Sequence, residues 1–152
     1  SVDTMARLFE LKNIAGVKDA TGDPNRIDAT LKKLGPDFIQ LTGEDGFALE
    51  FNRRGGVGII SVTANIAPKL CSDFQKYSKS KTDNEIKEAE RIDQILQPIH
   101  KSLFIESNPA PVKYAAKLLG LCGDEIRLPL VKIKKETEDQ VKKALLSAKL
   151  LS

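Results

Sequence analysis

Apolar positions follow two different rhythms along this chain, and the change between them divides it. In the first half, short apolar runs alternate with helical stripes. A Ser1-Val2-Asp3-Thr4 cap running into Met5, Leu8 and Leu11 predicts an opening helix. The run Ile14-Ala15-Gly16-Val17, closed by polar residues, predicts a short buried strand of the parallel kind. With a period of two, Ile14, Gly16 and Lys18 share one face, and Ala15 and Val17 the other. Asp23 and Pro24 then open a helix carrying Ile27, Leu31 and Leu34, which Gly35-Pro36 stops. A second unit reads as strand 38–42, loop 43–46 and helix 47–54. Gly55-Gly56 turns into a third, with strand 57–62, loop 63–65 and a helix entered through Ala67-Pro68 that carries Leu70, Phe74 and Tyr77. Three consecutive strand-helix units imply a parallel sheet with right-handed crossovers.

After the polar break 78–84 the rhythm is helical only. Ile86, Ala89, Ile92, Ile95, Leu96 and Ile99 recur at steps of three and four, predicting a helix over 85–102 that Pro98 should kink or interrupt. Residues 106–111 should be extended, because residues before proline avoid the helical region. A helix over 112–119 with Gly120 as its stop, an irregular segment 123–133 containing Pro129, and a last helix over 136–150 complete the pattern. Three units do not close a (β/α)8 barrel, which needs eight and about 250 residues. A three-stranded parallel sheet also leaves both edges open. The chain therefore reads either as a small open α/β domain or as the later part of a larger fold that Ser1 enters midway.

Composition narrows the function classes. The 152 residues carry 24 basic and 21 acidic side chains, a net charge of +3 with the two signs interspersed, which gives nucleic acid no basic patch. The lysine-rich end is best read as a solvated helix face, since Val141, Ala144, Leu145 and Ala148 form an apolar stripe with Lys142, Lys143 and Lys149 around it. Cys71 and Cys122 lie far apart without a CxxC pair or a histidine cluster, so they are expected as reduced, buried thiols and no metal site is expected. His100, the only histidine, belongs to a helical pattern and reads as a packed residue. No stretch approaches a membrane span of about 20 apolar residues. With no secretion signal visible at Ser1, a cytoplasmic protein is expected.

Candidate chemistry gathers at the carboxyl ends of the strands: Lys18, then Thr42 to Asp45, then Ser61 to Asn65. That is the ligand-binding end of parallel α/β folds. Lys18 is the leading candidate. A partly desolvated lysine keeps some free amine near neutral pH, enough to attack a carbonyl and form a Schiff base. Gly16, two residues earlier on the same face, reads as the residue that leaves room beside the ammonium stem. Gly55, Gly56 and Gly58 precede a strand instead of opening a helix, so they lack the geometry of a phosphate loop.

Four motifs then fix a resemblance: Gly16-Val17-Lys18-Asp19-Ala20-Thr21-Gly22; Thr42-Gly43-Glu44-Asp45; Gly55-Gly56-Val57-Gly58-Ile59-Ile60-Ser61-Val62-Thr63-Ala64-Asn65; and Glu106-Ser107-Asn108-Pro109-Ala110-Pro111-Val112-Lys113. In order and spacing they resemble the carboxyl-terminal half of the dihydrodipicolinate synthases, within the pyruvate-dependent class I aldolase family, over nearly the whole chain. The resemblance implies the last three strand-helix units of a (β/α)8 TIM barrel at 1–80 and an all-helical carboxyl-terminal domain at 81–152. It implies that Lys18 forms a Schiff base with pyruvate, that the resulting enamine attacks L-aspartate semialdehyde, and that 4-hydroxytetrahydrodipicolinate, a precursor of diaminopimelate and lysine, is the product. Ile60 matches a position whose backbone carbonyl lies beside the reacting carbon, and Gly43 a backbone contact in the substrate pocket. The Asn108-Pro109-Ala110-Pro111 loop matches a structural element.

No cofactor beyond the lysine imine and no metal is implied, and the assembly implied for the full-length protein is a homotetramer built as a dimer of dimers. The family's tyrosine-threonine-tyrosine proton relay, its carboxylate-binding loop and its second-substrate arginine lie upstream of the matched region. Tyr77 and Tyr114 do not match that relay. A chain without these groups is expected to be inactive alone. The alternatives within the same reading are a sister aldolase of the sialic acid or sugar-acid lyase type and a non-catalytic half-barrel that acts by association.

Overall fold

Residues 1–152 are all described by the computed structural model, and they divide after Ser61 into two units, Ser1–Ser61 and Val62–Ser152. In the first, helix α1 (Val2–Phe9) starts where the Ser1 hydroxyl accepts the Thr4 amide at 3.2 Å. Strand β1 (Gly16–Asp19) leads to α2 (Pro24–Leu34), whose entry is fixed by Pro24 in the first turn and by the Asp23 carboxylate accepting the Asn25 amide at 2.9 Å. Strand β2 (Ile39–Thr42) is followed by a 3-10 turn (Asp45–Phe47) and α3 (Ala48–Arg53). Gly55, at φ +104°, makes the return into β3 (Gly58–Ile59).

The three strands form one parallel sheet in the order β1-β2-β3, with Lys18 opposite Leu41, Asp19 opposite Thr42, and Thr42 opposite Ile59. The strand-helix-strand order agrees with the sequence reading; the strands themselves are shorter and shifted. β1 begins at Gly16 because the Ile14 amide is committed to a turn, donating to the Leu11 carbonyl at 3.0 Å, and it runs on through Lys18 and Asp19. Gly16 also has a different job from the one read off its face. A Cβ there would sit 2.0 Å from the Ile39 carbonyl oxygen, so its missing side chain admits the neighbouring strand, not a ligand.

One face of this sheet is covered and the other open. Asp19, Gln40 and Thr42 share a face with Ile27 of α2 and Phe51 of α3 around a small cleft, and both Gln40 and Thr42 are buried. Gln40 donates across to the Ile27 carbonyl at 3.5 Å. The opposite face carries Lys18, exposed, with Ile39 44% and Ile60 51% exposed. Large apolar side chains left in water on a sheet face are what half of a larger core looks like. Phe9 and Phe38 pack edge to face, ring centroids 5.0 Å apart, and Met5, Ile27, Phe38 and Phe51 are all buried in this unit.

The second unit is helical: a 3-10 turn (Thr63–Asn65), then α4 (Pro68–Tyr77), α5 (Asp83–Ser102), α6 (Ala110–Leu118) and α7 (Lys135–Ser147). Ala89, Ile92, Leu96 and Ile99 make one buried stripe along α5, continued by Leu103 just past its end, and Phe74, Ala115, Val141 and Leu145 are buried in the same unit. His100 is buried as expected of a packed residue, its Nδ1 2.7 Å from the Thr63 hydroxyl.

Two sequence expectations are corrected here, and α5 runs on through Pro98 without the interruption that was one of the two expected outcomes. Residues 106–111 are not extended throughout: the Asn108–Pro109 peptide is cis and α6 starts at Ala110 with Pro111 in its first turn, where no amide proton is needed. Cys71 is buried, but Cys122 lies exposed in the irregular segment after Gly120. No helix is long and apolar enough to cross a membrane.

Candidate active site at the strand ends

Lys18 is the third residue of β1, one step short of the carboxyl end. It is exposed, on the sheet face opposite the one that α2 and α3 cover. The partial desolvation expected of it is therefore not a property of this chain by itself. What does stand against the lysine is Gly43, the first residue after β2. A methyl group at Gly43 would lie 2.3 Å from Lys18 Cε and 3.2 Å from Nζ, and 3.0 Å from the Ala20 Cβ. The Gly43 amide donates to the Asp19 carbonyl at 2.7 Å, which locks this close approach. Gly43, not Gly16, is thus the residue that leaves space for the ammonium stem, and it comes from the neighbouring strand end.

Ile60 takes its place one residue beyond β3, where its amide donates to the Thr42 carbonyl at 2.9 Å. Register sets Thr42 opposite Ile59, so Gly43 and Ile60 occupy equivalent levels on neighbouring strands. The three site residues named from the sequence come from three strand ends at one edge of one sheet. An exposed primary amine there, with Gly43 leaving space beside its stem, is open to attack a small carbonyl compound.

The loops around it are held by short polar links. The Asp19 side chain lies on the covered face, where its Oδ1 accepts the Thr21 amide at 2.8 Å and the Thr21 hydroxyl at 2.5 Å, and its Oδ2 accepts Arg26 Nε. Burial pushes the Asp19 carboxyl up, but the hydrogen bonds from Thr21 and the Arg26 guanidinium outweigh it and hold the group below its ordinary value. Thr42 Oγ1 accepts the Glu44 amide at 3.0 Å, and Glu44 caps the 3-10 turn through the Gly46 amide at 3.4 Å. Asp45, only 2% exposed, accepts the hydroxyl proton of Ser61.

Sequence reading put Asp45 and Ser61 among the polar strand ends without pairing them, and it did not find the Asp19–Arg26 link. The spacing Asp19 to Arg26, from strand end to first helical turn, was the available signal for the second; nothing local signalled the first. No group of three or more histidine, cysteine or acidic side chains is placed to hold a metal ion.

Comparison with known proteins places nearly the whole chain in one family. The sequence model of the dihydrodipicolinate synthetase family matches residues 1–148. The 4-hydroxy-tetrahydrodipicolinate synthase of Pelagibacter ubique (strain HTCC1062) is 72% identical over 151 residues, covering 99% of this chain and 52% of that protein. Among solved structures, the dihydrodipicolinate synthase of Aquifex aeolicus superposes with a TM-score of 0.91 at 36% identity, covering 99% of this chain and 50% of that one. The chloride-inhibited enzyme of Acinetobacter baumannii, complexed with pyruvate, gives a TM-score of 0.92 at 38% identity, covering 99% and 51%. The chain spans about half the length of the curated relatives it matches. With its lysine strand, its glycine-flanked strand ends and this match along almost its full length, the chain belongs to the dihydrodipicolinate synthetase family.

Proposed function

We propose that this chain supplies the lysine-bearing part of a synthase that condenses pyruvate with L-aspartate semialdehyde. The Lys18 amine attacks the ketone carbon of pyruvate and water leaves, giving an iminium. Loss of a methyl proton turns the iminium into an enamine, whose carbon attacks the aldehyde of the second substrate. Cyclisation through that substrate's own amine then displaces Lys18 and yields 4-hydroxytetrahydrodipicolinate. Gly43 and the Ile60 carbonyl frame the reacting carbon. The observation that carries the reading is the meeting of Lys18 with Gly43 at the carboxyl edge of a parallel sheet, with Ile60 at the same level. The names of the relatives and the pyruvate complex of the Acinetobacter baumannii enzyme support it.

On the same reading, residues 1–80 are the last three strand-helix units of a (β/α)8 barrel and residues 81–152 a helical carboxyl-terminal domain. Proton transfer and binding of the pyruvate carboxylate then fall to residues outside this chain, and the working assembly is a homotetramer. A Schiff base lysine without such partners lacks the preorganisation that makes these steps fast, so the 152 residues alone are expected to turn over poorly or not at all. The test is an assay of the complete gene product for pyruvate-dependent consumption of aspartate semialdehyde. Consumption abolished by Lys18→Arg is expected; a complete, folded protein that consumes none would overturn the proposal.

A further inference from the structure

The backbone ladder of the sheet stops where the site begins. β2 and β3 share only the register pairs Leu41–Gly58 and Thr42–Ile59. Main-chain ties at the carboxyl edge include Gly43 to Asp19 at 2.7 Å and Ile60 to Thr42 at 2.9 Å. A side-chain link joins the segments that follow β2 and β3. Asp45, at the head of the 3-10 turn after β2, accepts the hydroxyl of Ser61, the residue after Ile60, across a sequence separation of 16.

Aspartate is rarely buried, and a carboxylate at 2% exposure costs stability unless it is hydrogen-bonded. A hydroxyl-to-carboxylate bond is short and about twice as strong as its neutral counterpart. A packing residue at this place has no need of a buried acceptor oxygen. A clamp does, and Asp45 aims one at the Ser61 hydroxyl.

We propose that Asp45 and Ser61 form a positioning pair: their bond fixes the turn carrying Gly43 against the strand end carrying the Ile60 carbonyl, so that both frame Lys18 in one geometry. This rests on the reading of Lys18 as the Schiff base lysine. Asp45 is not itself an acid or base in that scheme, since the carboxylate oxygen Oδ1 is already engaged by Ser61. Its effect is on the barrier after pyruvate has bound. A small displacement of a framing group costs rate while leaving substrate capture nearly intact.

The experiment uses the complete synthase and its variants Asp45→Ala, Asp45→Asn, Ser61→Ala and the double alanine variant. For each, kcat and the KM for pyruvate are measured separately, together with borohydride trapping of pyruvate on Lys18 and the melting temperature. Asp45→Ala and Ser61→Ala are each expected to lower kcat by about tenfold to a hundredfold, with KM for pyruvate and trapping little changed. Asp45→Asn keeps an oxygen that accepts the Ser61 proton and is expected to stay within about threefold of wild type. The double variant should be no slower than the slower single one, because the two residues act as a unit.

A folded Asp45→Ala enzyme with wild-type kcat, or losses that multiply in the double variant, would overturn the pair. Should Asp45→Ala not fold, Ser61→Ala decides alone by the same criterion. Failure of the unsubstituted enzyme to trap pyruvate on Lys18 is a separate result, and it would count against the Schiff base reading instead.

Discussion

Gly16 and Gly43 serve the same lysine strand in opposite ways. A Cβ at Gly16 meets the backbone oxygen of Ile39 at 2.0 Å, and backbone in a paired strand has nowhere to go. Gly16→Ala is therefore expected to destabilise the fold by about 3 kcal/mol, read from the denaturant midpoint. A Cβ at Gly43 meets the flexible end of Lys18 at 2.3 Å, so Gly43→Ala is expected to fold with a near-native midpoint. It displaces the ammonium and slows borohydride trapping of pyruvate by about tenfold or more in the complete enzyme. Equal losses of stability in both variants would contradict the distinction. Lys18 itself was legible in sequence from the strand-end pattern and the motif around it. The glycine that borders it was not, because period-two reasoning sees neighbours along one strand while Gly43 arrives from the next. Asp45 and Ser61 escaped pairing for the same reason.

At the scale of elements, what the sequence displays locally came through. Asp23-Pro24 opens α2 and Gly35 ends it, and the stripe of α5 is buried as its spacing requires. The proline-rich entry to α6 was misread, since the rule that residues before proline avoid the helix yields in a first turn that needs no amide donors. α7 shows a long-range device that no local reading finds. Its N-cap residue, Lys134, offers no capping side chain; Glu106, 28 residues away, accepts the Lys134 amide at 2.9 Å. Hydrogen bonds from the Thr137 side chain and the Lys134 amide hold the Glu106 carboxyl below its ordinary value.

A carboxyl depressed in the folded state contributes stability above its unfolded pKa and loses it as pH falls through the folded one. Amide protection in the first turn of α7, corrected for intrinsic exchange, should therefore hold at neutral pH and fall on acidification below the usual glutamate range. In Glu106→Ala, which removes the accepting oxygen, it should be low and flat with pH; wild-type protection in that variant would refute the cap. Asp124 works alike on the irregular segment before α7, where hydrogen bonds from Lys117 at 2.8 Å and from Lys132 at 3.1 Å lower its carboxyl to about 2. The segment is expected to loosen only as pH approaches that value, and to lose this dependence in Asp124→Asn.

At the scale of the whole molecule, the open sheet face is the feature to explain. Ile39 and Ile60 stand half exposed beside Lys18, and the outer strands β1 and β3 each present an unpaired edge within this sheet. Sequence reading anticipated the open edges from the count of strand-helix units, because three cannot close a barrel; it did not anticipate the open face, having read the Lys18 strand as buried. The isolated chain is expected to self-associate, with a sedimentation coefficient that rises with concentration. A single monomeric species at all concentrations would show that the face is tolerated in water.

The most direct measurement is the intact mass of the complete protein after incubation with pyruvate and borohydride, followed by peptide mapping around Lys18. One reduced pyruvate adduct on the Lys18 peptide, absent from Lys18→Arg, is the expected result. An unmodified Lys18 in a folded, complete protein saturated with pyruvate would contradict the central claim that this lysine carries the chemistry.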